Sequence, residues 1–274
     1  MNAERKVAIV TGAASGLGKA MALALAASGI DVAAVDRNES ALATLRTEGA
    51  DRLGAIHEFP ADLAQTAAIE GLVNTILERL GRIDILVNNA GIGQSSIRAD
   101  QRRQPIRFWE VTPEQWTRFV AVNATAPIMM ARAVVPHMLK AGRGRVITVT
   151  TSLGTMVRQG YLLYGASKAA AEASMAVLAA DLQGTAVTAN VLVPGGVTNT
   201  PLVGPDGGDR AKMLQPAIMV PPLLWLVSDE AARITGRRFI AADWDASLPP
   251  AQAAEKAGAP VAWLSIARMP IEPG

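Results

Sequence analysis

The sequence predicts a doubly wound α/β chain: about seven parallel strands, with helices on both faces of the sheet. Three observations carry this. Short β-branched or apolar runs alternate with longer Ala- and Leu-rich amphipathic stretches. The short runs are apolar on both faces, as strands of a sheet covered on two sides must be. No Pro/Gly/Ser-rich linker, composition shift or internal repeat divides the 274 residues, so residues 1–274 read as one large domain.

The elements follow in order. Strands are expected at 7–10, 32–35, 55–59, 83–87, 145–149, 187–193 and 238–241. Between them lie helical stretches near 16–28, 38–47, 65–80, 113–140, 161–182 and 221–228. Two regions look appended: an Arg-rich loop at 94–107, and a tail over 243–274 that carries Trp244, Trp263 and a helix-like stretch at 250–257.

Composition narrows the chemistry. Half of the residues are hydrophobic, which is ample for a large core, and no uninterrupted apolar run approaches a membrane span. The start, Met1 to Lys6, is short and polar, without the apolar stretch of a signal peptide. There is no cysteine, which excludes disulfides, thiolate catalysis and Cys-based metal sites and makes the cytoplasm the default compartment. His57 and His137 are far apart, so neither a metal site nor a Ser-His-Asp triad is expected. A net charge of +2 spread over scattered Lys and Arg carries no nucleic-acid signature.

The first strand runs straight into Thr11-Gly-Ala-Ala-Ser-Gly-Leu-Gly18. Gly12, Gly16 and Gly18 let a backbone approach a pyrophosphate closely, and the helix that follows offers free N–H groups and a positive dipole. The spacing is GxxxGxG rather than GxGxxG; a tight βα turn without a ligand would read the same way. The second strand ends in Asp36, where a carboxylate can accept from both ribose hydroxyls of an adenosine and repel a 2′-phosphate. This favours NAD over NADP. Arg37 pulls the other way, since it suits either the adenine or a 2′-phosphate.

Asn88-Asn89-Ala90-Gly91 follows the fourth strand, and Tyr164-Gly-Ala-Ser-Lys168 stands further on. TGxxxGxG, NNAG and YxxxK, in that order, resemble the short-chain dehydrogenase/reductase family over residues 7 to about 245. The resemblance implies a Rossmann fold, a nicotinamide dinucleotide cofactor, a small alcohol or carbonyl substrate, and a homodimer or homotetramer. The chemistry can also be argued from the residues. A free Tyr titrates near 10. Lys168, one helical turn after Tyr164, shares its face, and its charge is expected to pull the phenol toward the working pH. Tyr164 would then exchange the alcohol proton.

The resemblance also implies a dinucleotide surface of Gly12, Ser15, Gly16, Leu17 and Gly18 with Asp36, Arg37, Asp62, Leu63, Asn89, Ala90 and Gly91. Tyr164 and Lys168 complete it, with Lys168 on the nicotinamide ribose. Asp62 reads equally well as a helix N-cap. Pro194 and Gly195 open a PGGVTNT stretch, one residue longer than the family's, in which Val197 with Thr198 or Thr200 would hold the carboxamide; Thr200 is favoured. The family's substrate-binding Ser is replaced. Counting from both Tyr164 and Gly154 puts Thr151 there and Ser152 one beyond, and adjacent residues of an extended segment face opposite ways. Thr151 keeps the hydroxyl. Asn123 matches the family's water-holding Asn. Pro127, four residues later, lacks an N–H and frees the Asn123 carbonyl, although an ordinary proline kink explains the pair too.

The substrate is less readable. Arg98, Arg102, Arg103 and Arg107 suit a substrate carboxylate or phosphate, or a solvated loop. Met156, Leu162, Leu163 and Met213 suit an apolar lining or the core. Beside the alcohol oxidoreductase stand an NADPH-dependent 3-oxoacyl reductase and a dinucleotide-binding module without turnover.

Overall fold

The computed structural model describes residues 5–267. One sheet of eight strands has the order β3-β2-β1-β4-β5-β6-β7-β8. Seven of these are parallel: β1 (Val7–Thr11), β2 (Asp31–Asp36), β3 (Ile56–Pro60), β4 (Ile85–Asn88), β5 (Gly144–Val149), β6 (Val187–Val193) and β7 (Arg237–Ile240). The eighth strand was not expected. β8 (Gly258–Pro260) pairs antiparallel with β7. Its Gly-Ala-Pro sequence has no β-branched residue to announce it, and its proline is tolerated because this is an edge strand.

Side-chain alternation splits the core in two. On one face Ala8, Val10, Ile85 and Val87 meet α1 (Gly16–Ala27), α2 (Glu39–Glu48), α8 (Val220–Leu226) and α9 (Pro250–Ala257). On the other face Ile9, Ala33, Leu86 and Val146 meet α3 (Ile69–Leu80), α5 (Ala126–Ala141) and α7 (Leu162–Asp181). The chain reverses direction across the sheet between β1 and β4, which opens a crevice at their carboxyl ends.

The helix expected over 113–140 is interrupted. α4 (Pro113–Val120) passes through a π-helical turn, Ala121–Thr125, into α5. Pro127 supplies no N–H to the usual ladder, and Ala126 donates instead to Ala121, five residues back. The whole stretch Pro113–Ala141 is 29 residues long with a window of mean hydropathy 1.4, so by length and apolarity it matches a membrane span. Over half of that window is buried inside the protein, as in a core helix. A short helix, α6 (Leu153–Met156), precedes α7.

The tail folds back on the sheet. Trp244 packs against Trp225, with ring centroids 5.8 Å apart and planes tilted by 53°, and α9 adds Ala254 to the core on that face. Residues 268–274 of the proposed extension lie outside the described residues.

Candidate active site

The turn after β1 is built from backbone. Gly12 and Gly16 take φ of +64° and +53°, left-handed values that side chains resist. At Gly18, a Cβ would lie 2.0 Å from the Gly12 carbonyl oxygen, so only glycine lets α1 begin this close to the turn. Ser15 caps α1 in extended conformation without a side-chain bond, and no acid lies in the first helical turn. The N–H groups and dipole at that end therefore remain available to an anion.

The Asn-Asn-Ala-Gly stretch braces this turn. The Thr11 hydroxyl accepts from the backbone N–H of Asn89 at 2.9 Å and of Ala90 at 3.0 Å. The Asn89 amide donates to the carbonyls of Thr11 at 2.9 Å and Gly12 at 3.2 Å. Asn89 thus acts here by holding the turn, and Thr11 is a partner that sequence reasoning missed.

A cavity of about 740 Å³ runs from this turn to Tyr164, within the usual range for small-molecule sites. Its wall includes Gly12, Ser15, Gly16, Leu17, Asp36, Arg37, Asp62, Leu63, Asn89, Ala90, Gly91, Pro194, Gly195, Val197 and Thr200. The Asp36 carboxylate accepts from the N–H of Ala14 at 3.1 Å and of Asn38 at 3.0 Å, which fixes it at the end of β2. Arg37 is exposed. Asp62 caps no helix; its carboxylate accepts from Ala64 N–H at 3.0 Å in a local turn. The Thr198 hydroxyl turns back to the Gly196 carbonyl at 3.1 Å. Thr200 approaches Gly16 so closely that a Cβ there would lie 2.9 Å from its methyl. A glycine-formed cradle with a free helix terminus and a carboxylate at its far side fits a dinucleotide.

The reactive end gathers on α7. Lys168 is buried and donates to the Val149 carbonyl at 2.9 Å. A Cβ on Gly91 would stand 3.5 Å from the Lys168 ammonium, so the glycine leaves room for it. The Thr151 side chain lines the cavity beside Tyr164 and favours its ionised form. The fall in phenol pKa expected from Lys168 is not what the site produces in the protein alone. Burial pushes Tyr164 up to about 12, with the Thr151 hydroxyl pulling it back and Tyr161 adding to the rise. Burial pushes Lys168 down to about 8. Desolvation is the leading cause of both shifts.

Thr151 and Ser152 part company here. Thr151 meets Tyr164, whereas the Ser152 hydroxyl pairs with that of Thr155 at 2.7 Å. Asn123 is fully buried in the π-helical turn. Its carbonyl oxygen accepts from Ile92 N–H at 2.8 Å, and its amide donates to the Ile92 carbonyl at 3.0 Å and the Ser167 hydroxyl at 3.1 Å. Its side chain therefore fastens the loop after β4 to α7, beside Lys168.

The expected substrate surface differs. Of the loop arginines only Arg102 lines the cavity, and its guanidinium donates to the Gly207 carbonyl at 3.0 Å. Arg98 is held by Glu110 at 3.2 Å and by the Gln104 carbonyl. Met156, Leu162, Leu163 and Met213 do not line the cavity; Met156 and Leu163 are buried, while Leu202 and Val203 contribute apolar wall. Nor does any described tail residue reach it. Sequence reasoning also missed Glu172 and Arg238, a buried ion pair at 2.8 Å whose arginine donates to the Thr151 carbonyl at 2.9 Å. The available signal was a lone acid one turn beyond Lys168 on a face of small residues.

The chain matches the family model for short chain dehydrogenases over residues 6–210. It is 34% identical to the D-threitol dehydrogenase of Mycolicibacterium smegmatis, over 86% of this chain and 90% of that one. The solved 3-ketoacyl-(acyl-carrier-protein) reductase from Brucella melitensis, complexed with NADH, is 30% identical with a TM-score of 0.73, covering 85% of this chain and 94% of its own. A metagenomic short-chain oxidoreductase in complex with NADP is 26% identical with a TM-score of 0.72, over 86% and 95%. Solved relatives thus carry either dinucleotide, and the lower rank that Asp36 suggested for NADP finds no support among them. With its phosphate turn, its Tyr-Lys helix and these relatives, the chain belongs to the short-chain dehydrogenase family and is an NAD(P)-dependent oxidoreductase.

Proposed function

We propose that the chain transfers a hydride between NAD(H) and a secondary alcohol or ketone, with Tyr164 as general acid/base. The observation that carries this reading is that Tyr164, Lys168 and Thr151 line one cavity together with the glycine turn. A bound nicotinamide supplies the hydride acceptor or donor. Gly12, Ser15, Gly16, Leu17 and Gly18 would take the pyrophosphate, and Asp36 and Arg37 the adenosine ribose. Asp62 and Leu63 would meet the adenine; Gly91, Pro194, Gly195, Val197 and Thr200 would meet the nicotinamide half, with Lys168 on its ribose.

The substrate oxygen sits against both hydroxyls. Thr151 donates to it and steadies its developing charge. Tyr164 takes the proton from an alcohol and returns it to a carbonyl. The Lys168 ammonium stabilises the phenolate as it forms. Since the Asn123 side chain is occupied, holding a relay water falls to its carbonyl in the π-helical turn.

Asp36 supports NAD as the first reading and the exposed Arg37 supports NADP as the second. Dinucleotide absorbance with each cofactor, across polyols, other secondary alcohols and 3-oxoacyl thioesters, tests the proposal. Turnover of at least one alcohol–ketone pair is expected. Tight dinucleotide binding with no turnover of any of them would favour a binding module instead. The proposal includes a homodimer or homotetramer, supported by Leu139 and Val177, exposed on α5 and α7; a monomeric sedimentation mass would remove it.

A further inference from the structure

The mechanism leaves one buried charge pair unused. Glu172 is fully buried and lies four residues after Lys168, on the helix face that carries Tyr164 and Lys168. Arg238, in β7, is 5% exposed. Its Nε donates to Glu172 Oε1 at 2.8 Å, and its Nη2 donates to the Thr151 carbonyl at 2.9 Å. The Thr150 hydroxyl donates to Glu172 Oε2 at 2.5 Å, and the Ala262 N–H donates to Oε1 at 3.1 Å. One carboxylate therefore gathers donors from the exit of β5, from β7 and from the tail.

Stability alone is a weak reason for such a pair, because well-packed apolar residues often replace buried ion pairs without loss. Apolar residues cannot hold a carbonyl. Thr151 lies beyond the end of β5, so the paired strands do not set its backbone. The guanidinium is bonded to its carbonyl, and its planar fork lets one side chain bond a carboxylate and a carbonyl at once.

We propose that Arg238, oriented by Glu172, is a positioning residue that fixes the backbone of Thr151 and so aims its hydroxyl at the substrate oxygen. The inference rests on the reading of Thr151 given above. The test is a double-mutant cycle on the full-length enzyme with an alcohol it oxidises, using Arg238→Lys and Thr151→Val. Lysine keeps a cation against Glu172 but has no second arm for the carbonyl. Arg238→Lys should lower kcat roughly 10- to 100-fold, the cost of a slightly misplaced reacting group. KM and dinucleotide affinity should change less than about twofold, since the cradle is untouched. Thr151→Val should then cost much less in the Arg238→Lys background than in the wild type.

Effects that simply multiply, or a fully active Arg238→Lys, would overturn the inference. A silent Thr151→Val in the wild type has a different signature: it removes the reading of Thr151 itself, and the inference with it. Should Arg238→Lys fail to fold, the pair Glu172→Gln with Arg238→Met removes both charges of the pair; the amide oxygen can still accept from Ala262 N–H, and the amide N–H can donate to the Thr150 hydroxyl. That variant should bind dinucleotide, lose kcat and show the same coupling to Thr151→Val; full activity in it would overturn the proposal.

Discussion

The two ends of the cavity are made of different materials. The pyrophosphate part of the dinucleotide end is largely backbone: Gly12, Gly16 and Gly18, the N-terminus of α1, and amides of residues 89 and 90 gathered on one threonine hydroxyl. The substrate end is side chain: Tyr164, Thr151, Lys168 and the Glu172–Arg238 pair, with Thr151 and Arg238 standing 87 residues apart. A backbone site constrains residue type and spacing over a short stretch, so it leaves a motif. A side-chain site needs only that distant residues converge.

This difference can be broken at either end. The larger effect is expected at the substrate end. Thr151→Val keeps the shape and deletes the hydroxyl, and should cost on the order of 10²–10³ in kcat while dinucleotide still binds. Ser152→Ala, whose hydroxyl faces Thr155, should be nearly silent. A dead Ser152→Ala beside a healthy Thr151→Val, in steady-state kinetics, would reverse the assignment.

At the other end, Gly18→Ala forces a methyl into the Gly12 carbonyl and pushes α1 away from the turn. Such overpacking costs about 1–3 kcal/mol, and the strain falls on the cradle. Calorimetry should therefore record weakened dinucleotide binding together with a lowered melting temperature. Unchanged affinity would mean that the turn does not depend on this contact.

The smallest effect is one of pH. Burial holds Lys168 near 8, below its usual 10.5, so in that interval the unfolded chain binds a proton that the folded chain has released. Stability should consequently rise with pH across the window, and the protein without dinucleotide should show this in thermal unfolding. Lys168→Met should flatten the rise. Parallel curves for the two proteins would show that the lysine does not carry it.

The same contrast explains what could be read in advance. Most of the parallel strands were legible because they are short, largely buried apolar runs, though β3 and β7 carry charged residues and are only partly buried; the glycine turn was legible because its spacing is sterically enforced. β8 was not, because Gly-Ala-Pro has strand character only through its pairing with β7. The π-helical turn was half legible: Pro127 announces a broken ladder but not its form. Thr151 could be counted to from Tyr164, yet nothing in its neighbourhood names Arg238 as its support. The sign of the Tyr164 shift was misjudged for a related reason. Burial is a property of the assembled fold, and helix spacing alone does not reveal it.

The central claim is that proton exchange at Tyr164 drives turnover in a cavity whose other end binds the dinucleotide independently. Tyr164→Phe, measured for both properties on the same preparation, tests it most directly. The account predicts dinucleotide affinity within about twofold of wild type and kcat lower by roughly 10²–10⁴, the range for losing a general acid/base. Turnover that survives this substitution would contradict it.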